Sequence, residues 1–540
     1  MTDSNKPSRS LAGIAGIVAV ATLLSKVFGL VREQVIAAVF GVGAAVEAYQ
    51  YAYVIPGFLV VLLGGINGPF HSAIVSVLAK RRREEVAPLV ETITTLVGGM
   101  LVGVAIAIML FADPLISLLA PGLSGTPEGL EVKAIAVQQL QIMAPMAILA
   151  GLIGIGFGTL NAADHYWLPS VSPLFSSVTV LVALGILALL LGSAVTQPQY
   201  ALLGGIVLAW GTLAGAVLRW LVQVPVLWKA GLGKLRLRFQ INQPGVREVF
   251  QILGPATFSS GMMQINVYTD LFFASFIPQV EAAAASLSFA TLLVQTPLGI
   301  VSNVILVPML PIFARLADPN DWPALKSRIR QGLMLTALTM LPLSALFMTL
   351  ALPMVRVIYE RVAFDEQASR LVASVLIAYG LGMFVYLGRD VLVRVFYALG
   401  DGETPFRISV ANIFLNALLD LMLVRFGAPG LVLATVGVNF SSMIILLVLL
   451  DRKLGGLPWL EWSLPIGGLI VSSGIAGVGS WGTRWGLESL LGTEGILIQL
   501  LQLCVAGGVG LGIFGLLATW MRIPEVYQLT ARLKQRFLRR

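Results

Sequence analysis

The sequence has few of the residues that build disulfides and metal centres. Its 540 residues include one cysteine, Cys504, and two histidines, His71 and His165. One cysteine cannot form an intramolecular disulfide, and one thiol with two imidazoles argues against a structural zinc site. We therefore expect a fold that is held together by packing, with no resident metal or other cofactor.

Charged residues are also scarce. They make up 11% of the chain, whereas soluble domains carry roughly 25%. Hydrophobic residues make up 57%, and the mean hydropathy is +0.90. This composition predicts an all-α polytopic membrane protein. The net charge of +8 does not indicate nucleic-acid binding, because the basic residues lie in short loops between apolar runs.

Catalytic motifs are missing as well. The chain has no Walker loop, no His-Glu-x-x-His pair and no nucleophile elbow, so we expect neither an enzyme nor direct use of ATP. The glycine run at 154–158 superficially resembles a nucleotide-binding loop. It lies inside an apolar segment with no strand before it, and we interpret it as a surface for close helix packing.

What the chain does have is a series of long apolar segments. A helix needs about 20 apolar residues to cross the hydrocarbon core, and we count fourteen such segments: 11–38, 45–79, 86–112, 133–160, 168–192, 199–228, 246–277, 281–314, 323–350, 368–398, 405–424, 428–451, 462–486 and 494–521. Two of them are expected to break, the second at the glycines and proline of 64–69 and the eighth at Pro297 and Pro308.

The basic residues predict the orientation and the division of the chain. Most of the 35 lysines and arginines fall in the even-numbered loops and in the tails, which predicts that both termini are cytoplasmic. A basic linker, 229–247, separates an N-terminal lobe of helices 1–6 (1–228) from a C-terminal lobe of helices 7–12 (248–453). Helices 13 and 14 and a basic tail follow in 454–540. Paired six-helix halves are typical of transporters.

The first segments carry four charges, at Lys26, Arg32, Glu33 and Glu47. A charge at the centre of a lipid-facing helix costs at least ~2.5–3.5 kcal/mol, so we interpret these residues as lining a polar cavity that holds a charged substrate. The alternative is that Arg32 and Glu33 lie at the membrane interface and snorkel. Lys26 and Arg32 are separated by about 600° of turn, or 240° modulo 360°, on a straight helix, and a bend or an unwound turn at Gly29 would let both face the cavity.

Polar residues also recur in the later segments. Asn412, Asn416 and Asp420 are spaced four apart and share one helical face. Together with Asp270 and Thr435 they would supply hard oxygen ligands for sodium or a proton. Interhelical hydrogen bonding explains the same pattern equally well. In the tenth segment, Arg389 and Asp390 are adjacent and are expected to need separate partners.

Several short motifs follow one another along the chain: Ser25–Glu33, Phe40–Gly43 with Glu47, Ile55-Pro56, Gly158–Asn161 with Pro169 and Pro173, Gly254–Ala256, Gln264–Asn266, Phe273–Phe276 and Arg394–Pro405. Together they resemble the MurJ/MviN family of peptidoglycan-precursor lipid flippases, in the multidrug/oligosaccharidyl-lipid/polysaccharide exporter superfamily. Each motif is weak alone, but their order and spacing over roughly 20–440 are specific.

The resemblance implies fourteen helices, with two six-helix lobes around a central cavity and a groove for a lipid tail on helices 13 and 14. It implies an alternating-access flippase in the bacterial inner membrane that moves lipid II, an undecaprenyl-pyrophosphate-linked disaccharide peptide, to the outer leaflet. The substrate-binding residues would be Lys26, Arg32, Glu33, Glu47 and Arg394, with guanidinium groups on the pyrophosphate. Expected partners are the lipid-linked glycan, membrane lipids and cell-wall synthesis machinery, and the chain is expected to be a monomer.

The sequence departs from the family pattern in its expected cavity charges. The family's first arginine is Lys26 here, Val60 and Val61 occupy the region of a helix-2 arginine, and Leu292 and Gln295 replace an arginine and a glutamate. Two alternatives to lipid II transport therefore stay open. One is a transporter of the same superfamily for another lipid-linked glycan or an amphipathic molecule. The other is a non-transporting scaffold of cell-wall assembly.

Overall fold

A computed structural model describes residues 11–65, 69–78, 80–163, 165, 167–234, 236–278, 282–493 and 495–526. Over these residues the chain is helical and contains no strand. In lipid a helix satisfies its own backbone hydrogen bonds, which explains why apolar segments of this length become helices.

Twenty α-helices follow one another along the described chain. They are α1 Leu11–Phe40, α2 Ala44–Leu62, α3 Pro69–Leu78, α4 Arg83–Leu110, α5 Ala112–Leu119, α6 Pro127–Met143, α7 Met146–Ala162, α8 Trp167–Val171, α9 Pro173–Leu191, α10 Ala201–Ala230, α11 Pro244–Ala274, α12 Ala283–Val301, α13 Val307–Arg315, α14 Trp322–Thr349, α15 Ala351–Tyr359, α16 Glu366–Ala398, α17 Glu403–Leu423, α18 Ala428–Lys453, α19 Trp459–Leu491 and α20 Ile496–Trp520.

Eleven helices of the described chain are long and apolar enough to cross a membrane, and a twelfth span results if α6 and α7 count as one. Those two helices meet at a bend of 42°. The chain is therefore a multi-pass membrane protein, as its composition predicts. Helices α1 and α11 are not among the eleven.

The chain divides into two compact units. The first comprises Met1–Ala282 and Arg361–Phe364, and the second comprises Ala283–Glu360 and Asp365–Arg540. Helix α11 belongs to the first unit because it packs on α2, α3 and α4. The lobes predicted from the sequence place α11 in the C-terminal half instead. Their division into functional parts stays a prediction.

The first unit is held together by close packing of α2, α3, α4 and α7 around buried aliphatic and aromatic residues. Glycines of α7 permit this approach. A Cβ at Gly154 would overlap the carbonyl oxygen of Leu63, and one at Gly156 would overlap the amide oxygen of Gln223. The glycine run is thus a helix-packing surface, as its apolar context predicts.

The second predicted segment breaks where its glycines and proline indicate, because α2 ends at Leu62 and α3 begins at Pro69. The eighth differs from expectation. Pro297 lies within α12 without ending it, and the irregularity is a π-helical turn, Ser302–Leu306, before Pro308. A proline deprives the carbonyl four residues earlier of its helical partner, and a π turn accommodates that loss without breaking the helix.

In the second unit α16 is the central helix. It packs on α12, α14, α15 and α18, while α19 and α20 pack on each other and on α14. Buried residues recur along the whole length of α16, from Ala368 to Phe396. The functional residues predicted in the later segments are held by α16, α17 and α18.

Candidate functional site

Helix α1 presents the first charges on an unbroken helix. It continues through Gly29 without unwinding. Lys26 is exposed. Six residues on, Arg32 donates from Nη2 and Nε to Glu33 Oε1, at 2.5 and 3.1 Å. Side-chain length explains why adjacent residues pair although their Cβ atoms diverge around the helix.

Two tyrosines of α2 face the Arg32–Glu33 pair. Tyr49 and Tyr53 stack with their ring centroids 5.3 Å apart and 15° between the planes. Arg32 interacts electrostatically with both phenols. The Tyr49 hydroxyl lies 3.1 Å from Thr212 Oγ1 of α10. Because the Thr212 hydroxyl donates to the Leu208 carbonyl, Tyr49 is the donor to Thr212.

A second guanidinium joins this cluster from α10. Arg219 lies seven residues, or two turns, beyond Thr212 and hence on the same face. Its Nε donates to Ser172 Oγ at 3.0 Å, its Cζ is 5.7 Å from the centroid of the Phe157 ring, and it interacts electrostatically with Tyr53. Within the described chain, no acidic side chain forms an ion pair with Arg219. We define Arg32, Glu33, Tyr49, Tyr53, Thr212 and Arg219 as the arginine–tyrosine cluster.

Sequence reasoning missed Arg219, although a signal was present. It is the only charged residue between Tyr200 and Trp228, inside an apolar stretch of membrane-spanning length. An ionisable residue in such a position is a functional candidate by default. The cluster therefore contains two cations and one carboxylate, and its excess positive charge suits a phosphate-bearing anion.

The structure places Glu47 apart from an open polar surface. Its side chain is buried, and Oε1 accepts from the hydroxyl of Tyr51, one turn on in α2, at 3.3 Å. Next to it Gln139 of α6 donates to the carbonyls of Ala45 and Gly205. The Gln139 contacts tie α2, α6 and α10 together, and the buried Glu47 side chain lies on α2 two residues beyond Ala45.

In the second unit the arginines of α16 are engaged with their own surroundings. Arg389 Nη1 lies 3.6 Å from Asp390 Oδ1, and Arg389 Nε donates to Ser442 Oγ of α18 at 3.2 Å. Arg389 thus has a partner of its own on α18, as expected, and also lies within ion-pair distance of Asp390. Arg394 Nη1 donates to the Leu306 carbonyl at 3.1 Å, which satisfies an acceptor of the π-helical turn.

The asparagine–aspartate stripe of α17 is buried along one face, as its spacing predicts. Asn412 is 6% exposed, Asn416 and Asp420 are fully buried, and Asn416 Nδ2 donates to Asp420 Oδ2 at 2.7 Å. Thr435 of α18, a helix packed on α17, donates to its own Leu431 carbonyl at 3.3 Å. These three residues belong to the second unit, whereas Asp270 belongs to the first.

In the parts of the chain that the structure covers, no group of three or more histidine, cysteine, aspartate or glutamate side chains is placed to hold a metal ion. Asn416, Asp420 and Thr435 offer amide, carboxylate and hydroxyl oxygens instead. Such donors suit a hard monovalent cation or a proton better than a soft transition metal.

The motif Arg394–Pro405 ends in a turn that anchors α17. Asp401 Oδ1 accepts from the Thr404 amide at 3.0 Å, and Oδ2 accepts from the Thr404 hydroxyl at 2.9 Å and from Lys453 Nζ at 2.6 Å. Desolvation opposes ionisation of Asp401, but these hydrogen bonds outweigh it and lower its pKa below the ordinary value. The turn thus fixes α17 to the end of α18.

Comparison with known proteins identifies the family. Residues 36–503 match the model of the family described as lipid II flippase MurJ. A probable lipid II flippase MurJ of Synechocystis sp. is 58% identical over 540 residues, the whole of both chains. The lipid II flippase MurJ of Burkholderia cenocepacia is 28% identical over 82% of this chain and 84% of its own.

Solved structures share the fold. A lipid II flippase MurJ in an inward closed conformation matches with a TM-score of 0.72 at 22% identity, covering 92% of this chain and 97% of the other. An inward-facing multidrug resistance MATE family transporter of the MOP superfamily matches with a TM-score of 0.59 at 13% identity, over 82% and 98%. The chain belongs to the lipid II flippase MurJ family, a family of transporters and not of enzymes.

Proposed function

We propose that this chain is an alternating-access flippase that moves lipid II from the cytoplasmic to the outer leaflet. Family membership over most of the chain supports the transport class, and the full-length relative bears the name of a lipid II flippase. The observation that carries the proposal is the arginine–tyrosine cluster, which holds two guanidinium groups within the membrane-spanning part of one unit.

In this proposal the chain crosses the bacterial inner membrane fourteen times, with both termini cytoplasmic. The bent pair α6–α7 supplies the twelfth span, and α1 and α11, with 30 and 31 residues, supply two more. A helix of 30 residues is about 45 Å long, enough to span the bilayer core with tilt. The bias of lysine and arginine toward one set of loops supports the orientation.

Arg32 and Arg219 bind the pyrophosphate in our proposal. A guanidinium matches two phosphate oxygens at once, and the Tyr53 phenol adds a donor, whereas Tyr49 keeps its hydrogen bond to Thr212. Arg219 then takes over from the arginine that the family has near Val60. Lys26 adds a further cation on α1, while Glu33 keeps Arg32 ordered and balances its charge when no substrate is bound. The expected roles of Glu47 and Arg394 in substrate binding stay predictions.

A coupling cation completes the transport cycle in this proposal. Outward movement of an anionic cargo is favoured by an inside-negative potential, by ~2.3 kcal/mol per charge per 100 mV. Return of the empty carrier is then aided by sodium or a proton at Asn416, Asp420 and Thr435. The buried Asn416–Asp420 pair supports an oxygen-rich cation site of this kind.

A second candidate function is export of another lipid-linked glycan by the same mechanism. It is favoured by Leu292 and Val60, which carry no charge where the family pattern has arginines. The lipid-linked substrate and the surrounding lipids are the partners in both cases. The proposal also includes a monomeric chain that contacts cell-wall synthesis enzymes. A non-transporting scaffold would keep these partners but would not move a lipid-linked substrate.

Complementation of a strain depleted of its lipid II flippase tests the proposal. We expect the wild-type chain to restore growth and Arg32→Ala to fail although it is inserted at normal levels. Arg32→Lys should restore growth in part, because lysine keeps the charge but lacks the planar guanidinium that binds two phosphate oxygens at once. Arg425→Ala is the control, since Arg425 is exposed and stacks on Phe426 at 4.9 Å. Failure of the wild-type chain would favour the other cargo or the scaffold.

A further inference from the structure

A cavity of about 220 Å³ lies in the first unit, at the end of α10. Its walls come from the first turns of α4 and from the segment that follows α10. The polar and aromatic lining consists of Glu91, Trp228, Lys234, Arg236 and Arg238. The cavity is separate from the arginine–tyrosine cluster and shares no residue with it.

A buried carboxylate organises this cavity. Glu91 is 7% exposed, and its Oε1 accepts from the backbone amide of Lys234 at 3.0 Å. Its Oε2 lies 3.8 Å from Arg238 Nη1, and Thr95, one turn further along α4, accepts from the Arg238 amide at 3.0 Å. Helix α4 thus fixes the backbone of the segment, while three cationic side chains face one carboxylate. The cavity retains a net positive charge.

Neither Lys234 Nζ nor the Arg236 guanidinium forms an ion pair with an acidic side chain of the described chain, and both residues are exposed. Glu91 therefore positions the backbone of the segment and leaves the Lys234 and Arg236 side chains without a carboxylate partner among the described residues. Two guanidinium groups and an ammonium around one cavity match a phosphate, which accepts bidentate hydrogen bonds from arginine.

The same segment carries a second, apolar face. Leu237, Phe239 and Ile241 are 84%, 70% and 61% exposed, and they alternate with the basic residues. Arg236 and Arg238 line the cavity, whereas these three apolar residues are not among its lining residues. One side of the segment is thus basic and lines the cavity, and the other exposes three large apolar side chains directly after a membrane-spanning helix.

We propose that this cavity binds the phosphate headgroup of an anionic phospholipid of the cytoplasmic leaflet. The apolar side chains lie in the headgroup–acyl boundary, as amphipathic interfacial segments do, and this brings the basic side level with lipid phosphates. Trp228, half-exposed at the end of α10, is of the residue type enriched at that depth. A soluble anion would explain the basic side but not the apolar one. The proposal rests on the proposed orientation and not on lipid II transport.

Native mass spectrometry of the full-length protein tests this site. The purified chain is titrated with phosphatidylglycerol and, separately, with phosphatidylcholine. A basic side chain near an anionic surface contributes roughly fivefold to binding, so we expect Arg236→Gln/Arg238→Gln to weaken phosphatidylglycerol binding about 30-fold and to leave phosphatidylcholine binding unchanged. The matched control is Arg315→Gln/Arg328→Gln, which removes the same charge from exposed positions of the second unit.

Equal weakening in both double variants would show that net charge alone attracts the lipid, and would overturn the site. So would an unchanged affinity in Arg236→Gln/Arg238→Gln. Displacement of phosphatidylglycerol by an equal concentration of inorganic phosphate would assign the cavity to a soluble anion. Melting temperatures in phosphatidylcholine nanodiscs check that the variants fold. Loss of lipid II transport without a change in phosphatidylglycerol binding would not contradict the proposed lipid site.

A second measurement does not depend on folding of the arginine variant. A fluorophore on Phe239→Cys, in a background with Cys504 replaced by serine, reports the depth of the apolar face. We expect quenching by brominated lipid and protection from aqueous iodide in membranes that contain phosphatidylglycerol. Strong iodide quenching there would contradict the interfacial position.

Discussion

Replacement of Arg219 by alanine separates a binding role from a structural one. The side chain has a hydrogen bond to Ser172 and lies over Phe157, but it has no ion-pair partner among the residues described. An unpaired charge in a membrane-spanning helix costs ~2.5–3.5 kcal/mol on insertion scales. A chain that retains such a charge gains from it when an anion is bound.

The contacts of Arg219 determine how much its replacement changes the stability of the protein and its affinity for the substrate. Alanine removes the cost of the charge but also one charge-assisted hydrogen bond, worth about 1.5–3 kcal/mol, and an aromatic contact worth about 0.5–1 kcal/mol. These terms nearly cancel, so the melting temperature should change by no more than a few degrees. Loss of one hydrogen bond of that strength to the substrate phosphate predicts a roughly 10- to 150-fold weaker affinity.

The assay is titration of purified wild-type and Arg219→Ala protein with a short-chain polyprenyl pyrophosphate, together with thermal unfolding of each. Arg219→Lys should lose less affinity, because it keeps the charge. Arg425→Ala, another arginine over a phenylalanine, should bind as the wild type does. An Arg219→Ala protein that unfolds much earlier but binds with unchanged affinity would refute the binding role.

Four further outcomes are expected. In a background without the native cysteine, an impermeant thiol reagent should label Gln197→Cys and spare Arg82→Cys in intact cells; the reverse pattern would invert the topology. Sodium should raise the melting temperature of the wild type by mass action and should leave that of Asp420→Asn unchanged. Equal stabilisation by choline would contradict a sodium site and would favour interhelical hydrogen bonding at these residues. Asp401→Asn removes the charge that pairs with Lys453 and should cost up to about 1 kcal/mol at neutral pH. Because the folded-state pKa of Asp401 is lowered, this contribution is complete above the ordinary pKa near 4 and disappears as the pH falls through the folded value. A stability difference that persists at lower pH would contradict this. Gly154→Ala should destabilise by about 1–3 kcal/mol through overlap with a carbonyl oxygen, and unchanged unfolding would refute that packing.

Hydropathy and periodicity predict the class of fold because they act over whole helices. The apolar segments become helices, α2 ends near the glycines, and the stripe ending in Asp420 is buried on one face. The position of the irregularity in the eighth segment was not predictable in the same way. Two prolines occur there, and Pro297 is accommodated inside α12 while the π turn forms before Pro308.

The candidate site depends more on tertiary contacts, and these a single sequence does not specify. Arg32 is conspicuous in the sequence, but its pairing with the adjacent Glu33 depends on side-chain conformation. Arg219 contributes to the cluster only because α10 packs near α2. The same holds for Arg394, whose contact with the Leu306 carbonyl requires α16 to lie against the π turn.

Translocation of fluorescent lipid II in proteoliposomes tests the central claim most directly. The account predicts that the full-length protein moves labelled lipid II between leaflets, and that Arg32→Ala and Arg219→Ala each abolish movement while Arg425→Ala does not. Absence of movement with the wild-type protein, or undiminished movement when both Arg32 and Arg219 are alanine, would contradict it.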